Sequence, residues 1–272
     1  MNYRVLCIVL LMADNALGAF ERMPQGGRPT ALGGATLSLP RDSWAAFSNP
    51  GLLPTVDERF LSVFYVPQQF GLKELARGSF SYVEPTSLGT FSLSGQRFGF
   101  ELYREVTVSA SFGRSISDAV HVGLNLTYNS LSIQNYGSAG TVGLDLGALI
   151  QITDQVWWGV AAFNVNAPTI GQAKERLPQV FASGLTYAPI SDGRISVALM
   201  KDVRFPTELK LGVEYTIISG VDLRGGMSGE PSTLNAGLGL RYGFVQLDYA
   251  FSEHSDLGAG HQISISFALG DL

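Results

Sequence analysis

The second half of the chain alternates apolar residues with small or polar ones at a period of two, a pattern no helix produces. Leu209, Leu211, Val213, Tyr215 and Ile217 share one face, with Lys210, Gly212, Glu214 and Thr216 on the other. Leu234, Ala236, Leu238, Leu240 and Tyr242 oppose Asn235, Gly237, Gly239 and Arg241 in the same way, and Val245, Leu247, Tyr249 and Phe251 oppose Gln246, Asp248, Ala250 and Ser252. Residues 120–128 and 262–269 repeat it. The pattern predicts strands at approximately 58–67, 76–85, 86–95, 104–116, 118–131, 139–153, 155–166, 178–189, 193–202, 207–217, 220–229, 232–242, 243–253 and 259–269. Several exceed the usual five or six residues of a globular strand and reach the span of a tilted membrane strand.

The connections sharpen this. Tight junctions are predicted at Glu84-Pro85-Thr86, Ser117-Asp118, Thr153-Asp154-Gln155, Ser191-Asp192-Gly193, Ser219-Gly220 and Tyr242-Gly243. Longer ones fall at 67–77, 96–103, 134–140, 166–178, 201–206, 229–232 and 252–260. Tight and long alternate along the chain, so all tight turns share one rim, as in an up-and-down barrel. The predicted fold is all-β: a transmembrane antiparallel up-and-down β-barrel of about fourteen strands. An even count places both termini in the periplasm. The small Gly, Ala, Ser, Asn and Thr residues of the polar face suit a crowded lumen better than the Lys- and Glu-rich exterior of a soluble sheet. Tyr65, Tyr82, Tyr103, Tyr128, Trp157, Trp158, Tyr187, Tyr215 and Tyr242 lie mostly near strand ends, where an interfacial girdle belongs.

Composition agrees. Only 15% of the 272 residues are charged, against roughly a quarter in ordinary soluble domains. Beyond the first residues no stretch approaches the roughly 18 apolar residues of a membrane helix. At the N-terminus, Arg4, the apolar run Val5–Met12 and the small residues Ala16-Leu17-Gly18-Ala19 read as a signal peptide over 1–19. Its removal would take Arg4 and Asp14 together, leaving the net charge at −5, and with it Cys7, the only cysteine. No basic patch remains for nucleic acid to grip.

Residues 20–57 do not alternate. Their glycines, the Asn49-Pro50-Gly51 turn and a possible cap at Asp42 or Ser43 predict a compact segment. It is expected either to plug the barrel of 58–272, with Trp44 and Phe47 against the inner wall, or to extend into the periplasm. On the lumen face, Lys210, Glu214, Asp222, Arg224, Arg241 and Asp248 are expected to form paired networks, because isolated charges are costly there. Catalytic signals are thin. No nucleophile elbow, metal-spaced cluster or phosphate loop appears, and Gly225-Gly226 with Gly229 reads as a strand end and turn. A serine beside His254 or His261 at the rim is the one enzymatic arrangement left open. No cofactor or metal is predicted.

The run Arg28-Pro29-Thr30-Ala31-Leu32-Gly33-Gly34-Ala35, followed by Trp44-Ala45-Ala46-Phe47-Ser48-Asn49-Pro50-Gly51-Leu52, resembles the N-terminal signature of the PorV/PorQ family, within the FadL-like (OMPP1/FadL/TodX) group of outer-membrane proteins. Leu177-Pro178, Phe205–Tyr215, Leu223–Gly226, Asp248–Phe251 and Leu257–Ser264 extend the similarity over most of the chain. The resemblance implies a fourteen-stranded barrel with a hatch in the lumen, its motif residues being Arg28, Gly33, Gly34, Asn49, Pro50 and Gly51. Here Gly51 stands where alanine is more usual. The chain also ends Phe267-Ala268-Leu269-Gly270-Asp271-Leu272, without the terminal aromatic of many outer-membrane strands. Implied partners are outer-membrane lipids, the barrel-assembly machinery, and either secreted proteins, as for PorV-like accessories of type IX secretion, or hydrophobic small molecules, as for FadL-like transporters. The modest loops favour the first role; a structural barrel is a third reading.

Overall fold

The computed structural model describes residues 18–229 and 232–270. The signal peptide therefore falls almost wholly outside the described residues. Sixteen strands follow the N-terminal segment: β1 (Phe60–Val66), β2 (Arg77–Thr86), β3 (Gly89–Gly99), β4 (Tyr103–Ser117), β5 (Val120–Ile133), β6 (Gly137–Thr153), β7 (Val156–Phe163), β8 (Thr169–Ile170), β9 (Glu175–Arg176), β10 (Val180–Ile190), β11 (Gly193–Asp202), β12 (Thr207–Ile218), β13 (Val221–Gly229), β14 (Ser232–Tyr242), β15 (Val245–His254) and β16 (Gly258–Ala268). All but β8 and β9 close into one antiparallel barrel of fourteen strands, sealed where β1 pairs with β16. The two exceptions form a small hairpin inside the longest connection, between β7 and β10.

One rim consists of six two-residue turns, at 87–88, 118–119, 154–155, 191–192, 219–220 and 243–244. The register shifts just before four of them, adding the local twist that bulges supply. The other rim carries the longer connections, but Gly229 pairs directly with Ser232, so the junction there is as tight as those opposite. The predicted turn at Glu84-Pro85-Thr86 is displaced. Pro85 pairs with Thr90 inside the β2–β3 ladder, and Gly89, at φ 143°, takes the turn geometry instead. Proline is tolerated close to a strand end, where its missing N–H interrupts little of the ladder.

Side chains sort as the alternation requires. Ser62, Ser81, Ser92, Ser94, Ser111, Asn125 and Thr186 are buried inside the ring, while Tyr65, Leu126 and Val213 are 54%, 53% and 51% exposed. The exposed apolar rows occur on strands all around the ring. Such a belt is unstable in water, whereas hydrocarbon solvates it. The aromatic girdle is less complete than predicted: Trp157 packs inward against the cluster around Leu52 and Leu149, and the Tyr103 hydroxyl donates to the buried Glu105. Nitroxide labels at Leu211, Leu238 and Leu247 should be relaxed by oxygen more than by a water-borne quencher, and a label at inward-facing Ser228 should show the opposite ranking. Labels at the three leucines that respond chiefly to the aqueous quencher would put the apolar rows in water.

The segment before β1 lies against inward residues of strands on every side of the ring. Gly18 approaches Arg204 and the Phe20 N–H donates to Glu105 (2.9 Å), both toward the longer-loop rim. Leu52, Leu53 and Val56 pack with Val83 and Leu149, toward the tight-turn rim where β1 begins. The expectation that both ends of the chain lie at one rim is thus corrected. Strand parity fixes only the two ends of the barrel, and the segment runs the length of its interior.

Candidate functional site

The interface between this segment and the wall combines backbone seating, charge and small apolar clusters. Short helical turns at Gly27–Ala31, Ala45–Ser48 and Pro50–Thr55 make it compact. Asn49 is fully buried and organises the third turn: its Oδ1 accepts from the Gly51 N–H (2.9 Å), and its Nδ2 donates to the carbonyls of Leu37 (2.8 Å) and Ala148 (3.0 Å). One amide thus joins two parts of the segment to β6. Asn49→Ala should cost about 1–3 kcal/mol, the usual penalty for orphaned buried polar groups, read as a lower urea midpoint for the heat-modifiable band.

The wall is shaped to receive that backbone. Gly113, Gly123 and Gly147 stand opposite one another on β4, β5 and β6. A Cβ on any of them would collide with Asn49, Pro50, Gly51 or their neighbours Leu53 and Pro54. Across the ring, Gly212 and Gly226 are paired on β12 and β13 and lie beneath Leu32 and Gly33. Gly33 itself has φ 62° and sits against the Met227 backbone, so a side chain there meets both strain and collision. Gly34, also left-handed, lies near the Lys210 side chain. Gly225-Gly226 is therefore not a strand end: it is mid-β13, and only Gly226 faces the segment. The glycines were visible in the sequence as small lumen residues, but their role as seats depends on cross-strand register.

The charged residues converge on Glu214. It accepts a bidentate pair from Arg28 of the segment, Nε to Oε2 and Nη2 to Oε1, both 2.8 Å. Arg224 Nε (2.8 Å) and Arg194 Nη1 (3.1 Å) reach the same carboxylate. Arg224 also binds Asp248 (2.6 Å) and Asp222 (3.1 Å). Of the six predicted lumen charges, Glu214, Asp222, Arg224 and Asp248 form this one network. Lys210 pairs separately with Glu208 at 3.2 Å, and Arg241, exposed beside the tight-turn rim, has no ion pair among the described residues. Sequence reading placed Arg28 in the hatch but did not connect it to Glu214, and Arg194 was missed. Asp42 adds a further carboxylate 3.6 Å from Arg28; burial pushes its pKa up, and Arg28 beside it pulls the other way.

A second contact set lies across the lumen. Asn125 Nδ2 donates to the Ala46 carbonyl (2.7 Å), Arg22 donates to the Phe47 carbonyl (2.6 Å), and the Arg22 guanidinium stacks 3.5 Å from the Phe163 ring centre. Between the segment and the inner wall is a cavity of about 90 Å³. Phe20, Trp44, Phe47, Phe163 and Met200 line it together with Thr107, Asn125, Asn129 and Asp145. Trp44 Nε1 and Asn125 Oδ1 are buried at its edge without a hydrogen-bond partner, the chemistry of a hydrated cavity.

The histidines offer no matching centre. His254 Nδ1 receives the Asp256 and Leu257 N–H groups, and His261 Nδ1 contacts the Tyr249 hydroxyl, so neither has the serine left open above. The Ser115–His121 contact (2.8 Å) is exposed, and no carboxylate hydrogen-bonds that imidazole among the described residues. Nor do three or more His, Cys, Asp or Glu side chains group as metal ligands among them.

No protein-family model and no curated protein matches the sequence. Solved structures do resemble it. A Pseudomonas aeruginosa FadL homologue superposes with a TM-score of 0.63 at 12% identity, covering 91% of this chain and 99% of that one. The Pseudomonas putida toluene transporter TodX gives 0.67 at 13% identity, covering 93% and 100%. The CymD monoaromatic hydrocarbon channel gives 0.65 at 12% identity, with the same coverage. The fold is that of the FadL-like outer-membrane barrels. At such low identity the likeness concerns architecture, and the contacts described above belong to this chain.

Proposed function

We propose that the protein is an outer-membrane channel for small apolar molecules, closed by the plug of residues 20–57. The carrying observation is that the segment filling the lumen is held by hydrogen bonds and ion pairs, which can be exchanged for water, together with glycine seats and small, separate apolar clusters. A cavity of about 90 Å³ is smaller than the engineered apolar cavity of roughly 150 Å³ known to hold benzene. Passage therefore requires the segment to shift. The fold's likeness to a toluene transporter and a monoaromatic hydrocarbon channel supports the choice of cargo class. In this reading the leader over 1–19 directs export, the assembly machinery inserts the barrel among outer-membrane lipids, and the tight turns and C-terminus face the periplasm. The chain takes no part in catalysis and needs no cofactor. Cells carrying the protein should take up radiolabelled toluene several-fold faster than cells without it; equal rates at confirmed surface expression would remove the channel reading.

A second reading, an accessory of protein secretion or surface attachment of the PorV/PorQ type, draws on the sequence motifs and on short loops. Five of the seven connections on the longer-loop rim have four residues or fewer, leaving a low platform for a secreted domain. Capture of secreted proteins by the purified barrel, with no effect on toluene uptake, would favour it.

A further inference from the structure

Near the longer-loop rim the outer wall departs from its apolar pattern over β3 to β6. On β3 and β4, Arg97 and Arg104 occupy outward positions of the alternation: Leu93, Gly95 and Arg97 share a face, as do Arg104, Val106 and Val108. Arg97 stands opposite Val106, which makes Arg104 its diagonal neighbour, about 7–8 Å away along the ladder. The adjoining outward positions of β5 and β6 are hydroxyls, Ser130, Ser132 and Ser138, with Ser132 directly opposite Ser138. These side chains line one groove, bordered by Val108 and Tyr128. Tyr128 lies across Gly140, where a Cβ would meet its ring, so the groove has a low floor there.

Neither arginine has an ion pair or hydrogen bond among the described residues. Arg59 by contrast pairs with Glu84 at the opposite rim, and Lys201 donates to the Phe205 carbonyl. The apolar rows of β4, β5 and β6 begin just below, at Val106, Tyr128 and Val142. Two unpaired guanidiniums beside three hydroxyls, at the edge of an apolar belt, face the depth at which a bilayer carries its headgroups. Planar guanidinium forks match phosphate oxygens two at a time, and hydroxyls supply further donors.

We propose that this groove binds the phosphate of a membrane lipid, with Arg97 and Arg104 as the fork and Ser130, Ser132 and Ser138 as supporting donors. The acyl chains would then lie down the wall over Val106, Val108 and Tyr128. The site rests on the outer-membrane reading but not on what the channel carries. It gives the barrel a fixed depth and an annular lipid that travels with it.

Protein in phosphatidylcholine nanodiscs doped with equal amounts of diphosphoryl lipid A and its dephosphorylated form tests this, with retained lipid measured by native mass spectrometry. Wild type should retain the phosphorylated form in preference by about tenfold or more. Arg97→Gln with Arg104→Gln should bring the ratio near parity, while Arg114→Gln, an outward arginine toward the tight-turn rim, should leave it unchanged. Arg104→Lys should keep part of the preference, and heat-modifiable migration reports that each variant is folded. Equal retention of both lipids by wild type, or an unchanged ratio in the folded double variant, would overturn the site. Displacement by millimolar inorganic phosphate would reassign it to free anions. Failure of the folded protein to enter nanodiscs would instead overturn the membrane reading itself.

Discussion

Replacing Glu214 with alanine should open the barrel. The side chain is the acceptor that Arg28, Arg194 and Arg224 share, and without it three guanidiniums face one another around an empty position. Arg224 retains Asp248 and Asp222, but Arg28 keeps only Asp42 at 3.6 Å and the Arg41 carbonyl at 3.2 Å. Removing one partner of a buried pair costs about 3–5 kcal/mol, and here the loss falls on the ion pair that fastens the segment to β12. The expected result in planar bilayers is a rise from rare, small openings in wild type to sustained porin-like conductance in Glu214→Ala. Glu214→Gln, which retains an acceptor without the charge, should lie between them. Wild-type conductance in the alanine variant would mean that the network does not hold the segment in place.

The second large effect is steric and has a matched control one residue away. At Gly226 a Cβ would overlap the Leu32–Gly33 backbone, and backbone cannot swing aside as a flexible side chain can. At Gly225 the nearest atom is the Asn235 carbonyl at 4.0 Å. Gly226→Val should therefore lift residues 26–34 off the wall, whereas Gly225→Val adds a β-branched side chain to a strand face with space for it. Chymotrypsin is a suitable probe, because Leu32 is buried in wild type and is followed by Gly33, which leaves the bond cleavable once exposed. Cleavage after Leu32 should become at least tenfold faster in the folded Gly226→Val barrel, a factor corresponding to about 1.4 kcal/mol of easier opening. Equal cleavage rates for the two valine variants would show that the glycine seat has no part in retaining the segment.

The barrel was legible in the sequence because its signal is local. Period-two alternation names the lipid face and the lumen face strand by strand, and two-residue turns recur wherever Ser, Asp or Gly interrupts it. Where local reading failed, the deciding contact was distant. Pro85 looked like a turn, but the ladder continues through it because Gly89 provides the positive φ three residues after Thr86. Trp157 and Trp158 looked alike as girdle residues, yet adjacent positions on a strand face opposite sides, and Trp157 meets the segment's apolar cluster.

The site was legible only in part for the same reason. Charges on the polar face of β12, β13 and β15 could be expected to pair, whereas Arg28 reaches Glu214 across 186 residues of sequence, with no spacing rule to announce it. Lys210 carries the right charge on the right face but lies one turn of the alternation away, next to Glu208. Arg241 is too near the rim to be drawn into any pair. Asn49-Pro50-Gly51 was recognisable as a turn; that it sits on three registered glycines required knowing which strands are neighbours.

Because the first described residues stand beside Arg204 while Leu269 bonds to Arg59 at the other end of the cylinder, the beginning and end of the chain open toward opposite compartments. The link from Val56 to Phe60 is only a few residues long, so the segment is tethered to β1 at the mouth where β1 begins its pairing with β16. The leading stretch lies inside the closed cylinder, so a bulky folded fusion placed just behind the predicted leader, ahead of Phe20, would stand at the longer-loop mouth. A short epitope inserted just ahead of Phe20, behind the predicted leader's cleavage point, and another after Leu272 should accordingly be reached by antibodies from different sides of the same membrane.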